Sequence, residues 1–364
     1  MGGSHEKEEA MRIAIISFSL PKKNKKRAGV DVAIHRLANA LAESGADVSI
    51  LSSYQKPVDA LYEHVQIFPW LARLPDNKFI NKFVRLALFP IMLNFLDISN
   101  FDVIHLNGDD WFYLFRRKPS IRVMHGSALR EFQSAKSMKR KILQLMIFPL
   151  EIVSAILATI TVGGGVDAAR IYRASDIVSY GVDSRVFYPR TKFEKPTIFY
   201  VGTWQGRKRG KFIFDLFIND VLPVFSDATL IMACDFVPKH PNVLDLQYPS
   251  DIVLAENLGK SWIFAYPSVY EGFGIPYVEA LASGTVIVTS KNPGSDYILT
   301  SNDCGIVCGD DIFGEELVCL MSDKARRELI QNKELDISRQ YSWGAIAEHF
   351  LAIYKEATEK YQHG

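Results

Sequence analysis

Pro267-Ser-Val-Tyr-Glu-Gly-Phe-Gly-Ile-Pro-Tyr-Val-Glu-Ala-Leu-Ala-Ser-Gly284 is the stretch that decides how this chain folds. It follows a short apolar run, Ile263 to Tyr266, that reads as a buried strand. The strand ends at a turn, and a glycine-bearing loop, Glu271-Gly-Phe-Gly274, comes next. Pro276 pre-sets the first turn of a helix, and Gly284 ends it. Gly272 and Gly274 let the backbone approach a ligand closely. The free N–H groups at the start of such a helix bind anions, and phosphate is the usual one. Glu271 stands at the mouth of the loop, and Glu279 lies about one turn into the helix. One carboxylate is suited to a sugar hydroxyl, the other to a ribose hydroxyl.

Outward from this unit, the same alternation of strand and helix runs through the chain. Upstream come a strand at Thr197–Val201, a helix from Gly210 to Phe225 and a strand at Thr229–Ala233; Val286–Thr289 follows downstream. The first half opens with a strand from Arg12 to Phe18. Val30, Ile34, Leu37, Ala38 and Leu41 then recur at helical spacing until Gly45, and Asp47–Leu51 is a strand again. Asp102–Leu106, Ile121–Met124, Ala158–Val162 and Asp176–Ser179 continue the series. Alternation of this kind predicts an α/β fold with two open, doubly wound parallel sheets. The texture turns linker-like at residues 183–196. The expected organisation is a leader or tag at 1–10, a first Rossmann-like domain at 11–187, a second at 188–340, and a closing helix at 341–364.

A length of 364 residues suits two domains, and 48% hydrophobic residues suffice for packed cores. With 42 Lys and Arg against 41 Asp and Glu, the balance excludes a generic nucleic-acid binder. The four cysteines, Cys234, Cys304, Cys308 and Cys319, form no C-x-x-C pair and read as reduced thiols of a cytoplasmic protein. Met1 to Ala10 has no apolar core, so it is no secretory signal.

The 267–284 stretch resembles the E-x7-E motif of retaining glycosyltransferase family four, with Glu271 and Glu279 as its two glutamates. The resemblance implies a GT-B fold, two Rossmann-like domains facing a central cleft. It implies Glu271 on the transferred sugar, Glu279 on the ribose, and the backbone of Gly272, Phe273 and Gly274 on the donor. Phe199-Tyr-Val-Gly-Thr-Trp-Gln-Gly-Arg-Lys-Arg-Gly210 is similar to the family's basic segment, whose cations clamp a diphosphate. Arg207 and Lys208 take that role here. Thr203 stands where many members carry arginine, which makes Arg209 a candidate for the second phosphate contact.

His125, directly after the strand Ile121–Met124, matches the family's histidine at the reacting centre; Gly126 follows where Asp is common. Gly29 matches one glycine of the family's Gly-Gly, with Ala28 in the other place. Tyr180–Pro189 resembles the family's N-G-V-D linker, and Tyr341-Ser-Trp343 resembles the start of a helix that returns to the first domain. Between Phe236 and Tyr248 the chain looks too short for a helix often present there.

The implied activity is transfer of a sugar, with retention, from a UDP- or GDP-sugar to a glycan or lipid-linked acceptor. No cofactor is expected, and no essential metal, since Cys304-x3-Cys308 lacks a histidine partner with zinc spacing and the chain has no D-x-D at its Asp pairs. Two alternatives stay open: a non-catalytic nucleotide-sugar-binding partner subunit, and a GT-B phosphorylase or epimerase. Phe68–Leu96 and Lys136–Leu157 mix basic with aromatic and apolar residues, which suits peripheral contact with an anionic membrane at its cytoplasmic face. The loop cations Lys22, Lys23, Lys25, Lys26 and Arg27 suit an anionic acceptor or lipid headgroup. Gly163-Gly-Gly165-Val-Asp-Ala168 mimics a dinucleotide fingerprint but follows a late strand, so it is set aside. Asp109-Asp110 and Asp310-Asp311 are adjacent pairs, not D-x-D.

Overall fold

The computed structural model describes residues 11–21, 29–73, 83–134 and 137–363. Two compact units divide the chain: one runs to Ser179 and resumes at Trp343, and the other spans Tyr180–Ser342.

The first unit holds a seven-stranded sheet. Its strands are β1 (Arg12–Ile16), β2 (Asp47–Ser52), β3 (Glu63–Gln66), β4 (Val103–Leu106), β5 (Ser120–Met124), β6 (Ile160–Gly163) and β7 (Asp176–Ile177). They lie in the order β3-β2-β1-β4-β5-β6-β7, and every pairing is parallel. Alternation along β1 sends Ile13 and Ile15 into one core and Ala14 and Ile16 into the other. Both faces are covered, which is why the strands read as continuous apolar runs. One face is covered by the helix Gly29–Glu43 together with the closing helix Trp343–His363. That closing helix buries Ile346, Phe350, Ile353 and Tyr354 against the first unit, although the chain reaches it from the second.

The second unit repeats the plan with six strands. These are β8 (Thr197–Val201), β9 (Thr229–Ala233), β10 (Val243–Asp245), β11 (Ile263–Tyr266), β12 (Val286–Ser290) and β13 (Ile306–Cys308). Their order is β10-β9-β8-β11-β12-β13, again all parallel. Phe199, Phe264 and Ile287 fill one core, while Ile198, Ile263 and Val288 fill the other. Each such side chain contributes about 1.5–3 kcal/mol by leaving water.

The division between units falls ahead of the linker-like stretch at 183–196. Val182 and Phe187 are buried in the second core, and the Val182 N–H donates to the Tyr341 carbonyl at 2.8 Å. Apolar side chains with a core to enter hold this stretch to the second unit. The helix expected from Gly210 to Phe225 is α-helical to Leu216 and widens into a π-turn at Phe217–Val221. In place of a helix between Phe236 and Tyr248 stands β10, and the helix Asp251–Lys260 follows, its first turn capped by the Ser250 hydroxyl.

Candidate functional site

In doubly wound sheets, ligands bind beyond the C-terminal strand ends where the strand order reverses. That point lies between β1 and β4 in the first unit and between β8 and β11 in the second. The residues expected to carry chemistry fall into two sets, one at each point.

In the second unit, β11 ends at Tyr266 and the chain turns through Ser268 into the loop that holds Glu271. The Asn292 amide pins this turn by donating to the Ser268 carbonyl at 2.9 Å, and it also donates to the Tyr277 hydroxyl at 2.8 Å. Gly274 has φ +98 and precedes the helix Ile275–Ala282, which carries a proline in its first turn. A side chain at Gly274 would adopt a disfavoured backbone and strike the Tyr277 ring, so the bend needs glycine. Phe273 buries its ring beside Tyr180, Tyr297 and Tyr341, anchoring the loop while its backbone sits at the helix start.

Glu271 is the hub of this set. It is 7% exposed, and four donors converge on its Oε1: Arg207 Nη1 at 2.6 Å, Lys208 Nζ at 2.5 Å, Ser268 Oγ at 2.6 Å and Tyr266 Oη at 3.0 Å. Arg207 and Lys208 come from the turn after β8, which neighbours β11 in the sheet. Burial pulls the Lys208 ammonium below its usual range, and the Glu271 charge opposes that pull. One carboxylate oxygen shared by two cations is a crowded arrangement that an incoming anion would relieve. Arg209 is engaged elsewhere, its guanidinium forming a two-point pair with Asp310 at 2.8 and 2.6 Å. Glu279 is half-buried on the helix that starts after Gly274.

In the first unit, a cavity of about 410 Å³ is lined by Gly29, Asp31, Arg85, Asn107, Asp109 and His125 among others. Gly29 opens the helix at its rim, and nothing lies within 4 Å of where its Cβ would be. The neighbouring Lys22, Lys23, Lys25, Lys26, Arg27 and Ala28 lie outside the described residues. His125 Nε2 is 3.2 Å from Asn107 Oδ1, which also meets His105 Nε2 at 3.1 Å. His105 is fully buried, and its Nδ1 lies 2.6 Å from the Tyr354 hydroxyl.

Burial drives the pKa of both histidines down to about 3, with Arg122 adding to the effect. Folded, they stay neutral at pH values where the unfolded chain, near pH 6.5, takes up protons. Their stabilising contribution is therefore complete above pH 6.5 and lost as pH falls toward 3. The urea midpoint of the first unit should drop between pH 7 and pH 4.5. His105→Gln, which cannot titrate, should show a shallower drop, and equal slopes would refute the assignment.

Several residues of this unit carry no sequence signal. Asp109, set aside as half of an adjacent pair, accepts from Arg85 Nε at 3.0 Å. Asp110 is fully buried between Arg116 and Arg122. Asn107 is an ordinary post-strand residue until β4 and β5 pair and bring it beside His125. Among the described residues, no group of three or more His, Cys, Asp or Glu is placed to hold a metal ion, and no helix is long and apolar enough to cross a membrane.

Comparison with known proteins follows the same two halves. Glycosyltransferase Family 4 matches residues 27–159, and Glycosyl transferases group 1 matches residues 241–335. D-inositol 3-phosphate glycosyltransferase of Corynebacterium efficiens is 30% identical over 125 residues, 34% of this chain and 29% of that protein. MMP alpha-(1->4)-mannosyltransferase of Mycolicibacterium hassiacum is 26% identical over 262 residues, 66% of this chain and 60% of its own length. Against both, the chain spans less than two thirds of the relative. Phosphatidyl-myo-inositol mannosyltransferase of Mycobacterium leprae, 22% identical, is matched over 95% of this chain and 96% of its own. Among solved structures, sucrose-phosphate synthase of Thermosynechococcus elongatus superposes with TM-score 0.71 at 16% identity, covering 95% of this chain and 98% of that one. The Anabaena protein HepE, solved in complex with UDP, gives TM-score 0.68 at 12% identity, covering 95% and 100%. At such identities these two likenesses concern the fold, two parallel-sheet units of the GT-B type. Glycosyltransferase family models thus match in both halves, Glycosyltransferase Family 4 in the first and Glycosyl transferases group 1 in the second, and a fold of the GT-B type runs along nearly the whole chain.

Proposed function

We propose that the chain transfers a sugar, with retention of anomeric configuration, from a nucleotide diphosphate sugar to a glycan or lipid-linked acceptor, without a metal. The observation that carries this reading is the convergence of Arg207 and Lys208 on Glu271 beside the helix that starts after Gly274. A pyrophosphate entering there takes the two cations from the carboxylate and meets N–H groups of Gly272, Phe273 and Gly274. As the diphosphate leaves, those groups stabilise its growing charge without rearranging. Glu271, freed of its cations, is then available to a hydroxyl of the transferred sugar. Glu279 is assigned to the ribose, and His125 with Gly29 to the reacting end.

Two of the relatives named above are mannosyltransferases, and the Anabaena structure holds UDP, so GDP- and UDP-sugars are the donors to try first. The test is a thermal-shift screen with UDP, GDP and ADP, followed by incubation with a panel of nucleotide sugars and assay of released nucleotide. A ligand at 100 times its Kd stabilises by about 2.7 kcal/mol. No shift with any nucleotide and no release from any sugar would sink the reading.

The acceptor is proposed to be reached at the cytoplasmic face of an anionic membrane. The helix Met138–Leu157 turns an apolar stripe to solvent: Met138, Ile142, Leu145, Met146 and Ile156 are exposed. Its buried side mixes Glu151 and Ser154 with Ala155. An ordinary surface helix does the reverse. Lys139, Arg140 and Lys141 stand in its first turn, where anionic headgroups would attract them. The protein should sediment with vesicles containing anionic lipid at low salt, and Leu145→Glu with Met146→Glu should abolish this. Absence of wild-type sedimentation at every salt concentration would reject the membrane arm alone.

A further inference from the structure

We propose that Asn107 is a substrate-positioning residue whose amide nitrogen donates to a hydroxyl oxygen of a glycosyl ring held in the first unit's cavity. This rests on the transfer reading above. Tyr354 Oη lies 2.6 Å from His105 Nδ1, and Asn107 Oδ1 beside Nε2 can only accept, so the proton of that neutral imidazole sits on Nε2 and the tyrosine donates to Nδ1. That Nε2–H donates to Asn107 Oδ1 at 3.1 Å, and His125 Nε2–H donates to the same oxygen at 3.2 Å. Two imidazoles thus saturate the carbonyl end of one carboxamide and fix how it is turned.

The other end is left over. Asn107 Nδ2 is shut off from solvent and has no partner among the described residues. The Trp111 Nε1–H, from the same wall of the cavity, is in the same state. A buried donor without an acceptor costs about 1–3 kcal/mol, so two in one wall mark a place where a ligand supplies oxygen. Both donors are neutral, Asp31 and Asp109 line the same cavity, and its arginines, Arg85 and Arg122, are already paired with Asp109 and Asp110. Neutral donors beside carboxylates suit a hydroxyl group, which can accept from one and donate to the other, and they disfavour phosphate.

Two measurements test this. In the wild-type protein, nitrogen-15 NMR of the imidazoles should find His105 and His125 both protonated on Nε2. A proton on Nδ1 of either ring would mean the carboxamide is turned the other way, and would overturn the proposal without any variant. Asn107→Asp keeps the shape and replaces the donor by an acceptor. It should lower kcat/KM for release of nucleotide from GDP-mannose or UDP-glucose by roughly 10- to 100-fold. Its carboxylate, set between the two rings in a cavity lined by Asp31, Arg85, Asp109, Arg122 and Glu151, should also give the pH profile an acid limb that the wild type lacks.

A raised KM for the nucleotide sugar places the hydroxyl on the transferred sugar. An unchanged donor KM with reduced transfer to methyl α-mannopyranoside places it on the acceptor. Unchanged kinetics with both probes and an unchanged pH profile overturn the proposal. Wild-type protein that releases neither nucleotide defeats the transfer reading instead, and the imidazole spectrum still decides this one.

Discussion

Glu271→Gln is expected to lower sugar transfer on the order of 1,000-fold while leaving nucleotide binding intact or stronger. Oε1 is crowded, because Arg207 and Lys208 share this one carboxylate oxygen with Ser268 and Tyr266. Glutamine keeps the shape and removes the charge. Both cations then lack their protein counter-ion and are available to a diphosphate, so UDP or GDP loses no affinity. Transfer fails because the sugar loses the carboxylate that meets its hydroxyl as charge develops. Removing one preorganised group of this kind costs about 10² to 10³ in rate. Lys208, left in a partly buried place, should cost the variant on the order of 1–3 kcal/mol of stability, read as a lower Tm that added nucleotide restores. Transfer within a few-fold of wild type would remove Glu271 from the chemistry. Equal loss of binding and transfer would reduce it to a scaffold for the two cations.

Asp110→Asn should be the most destabilising single change in the first unit, by about 3–5 kcal/mol. Asp110 has no exposed surface, and the side chains of its partners Arg116 and Arg122 are 5% and 4% exposed. Arg116 Nη2 donates to Oδ2 at 3.0 Å, and Ser154 Oγ donates to the same oxygen at 2.6 Å. Arg122 Nε lies 3.0 Å from Oδ1, at ion-pair distance though out of hydrogen-bond alignment. One carboxylate therefore ties the loop after β4 to β5 and to the helix Met138–Leu157. Asparagine removes the charge that pairs with both buried guanidinium groups. Chemical denaturation followed by a probe in the first unit measures the loss. A change below about 1 kcal/mol would mean that water reaches the arginines. Nucleotide binding in the second unit should survive, which separates this effect from damage to the donor site.

Legibility followed burial. The strands β1, β8, β9, β11 and β12 declared themselves as apolar runs because helices cover both faces of their sheets. The strands that escaped notice, β3, β10 and β13, all lie at sheet edges. Glu63–Gln66 is largely exposed and Val243–Asp245 partly so, and an edge strand three or four residues long needs no hydrophobic run. The helix Asp251–Lys260 escaped for a related reason. Only Ala255, Leu258 and Gly259 are buried in it, too few to set a period.

Local chemistry was written in the chain itself: glycines before a proline-started helix, a basic turn after a strand, a histidine at a strand end. Each follows from the few conformations open to neighbouring residues, so a short window suffices to read it. What the window could not supply was company. Arg207 and Lys208 reach Glu271 across 64 and 63 residues because β8 pairs with β11, and Tyr354 reaches His105 across 249 because the closing helix packs on the first sheet. A polar side chain takes its role from the groups that replace its water. For Asn107, Asp110 and Lys208, those groups are assembled only when strands distant in sequence become neighbours in a sheet.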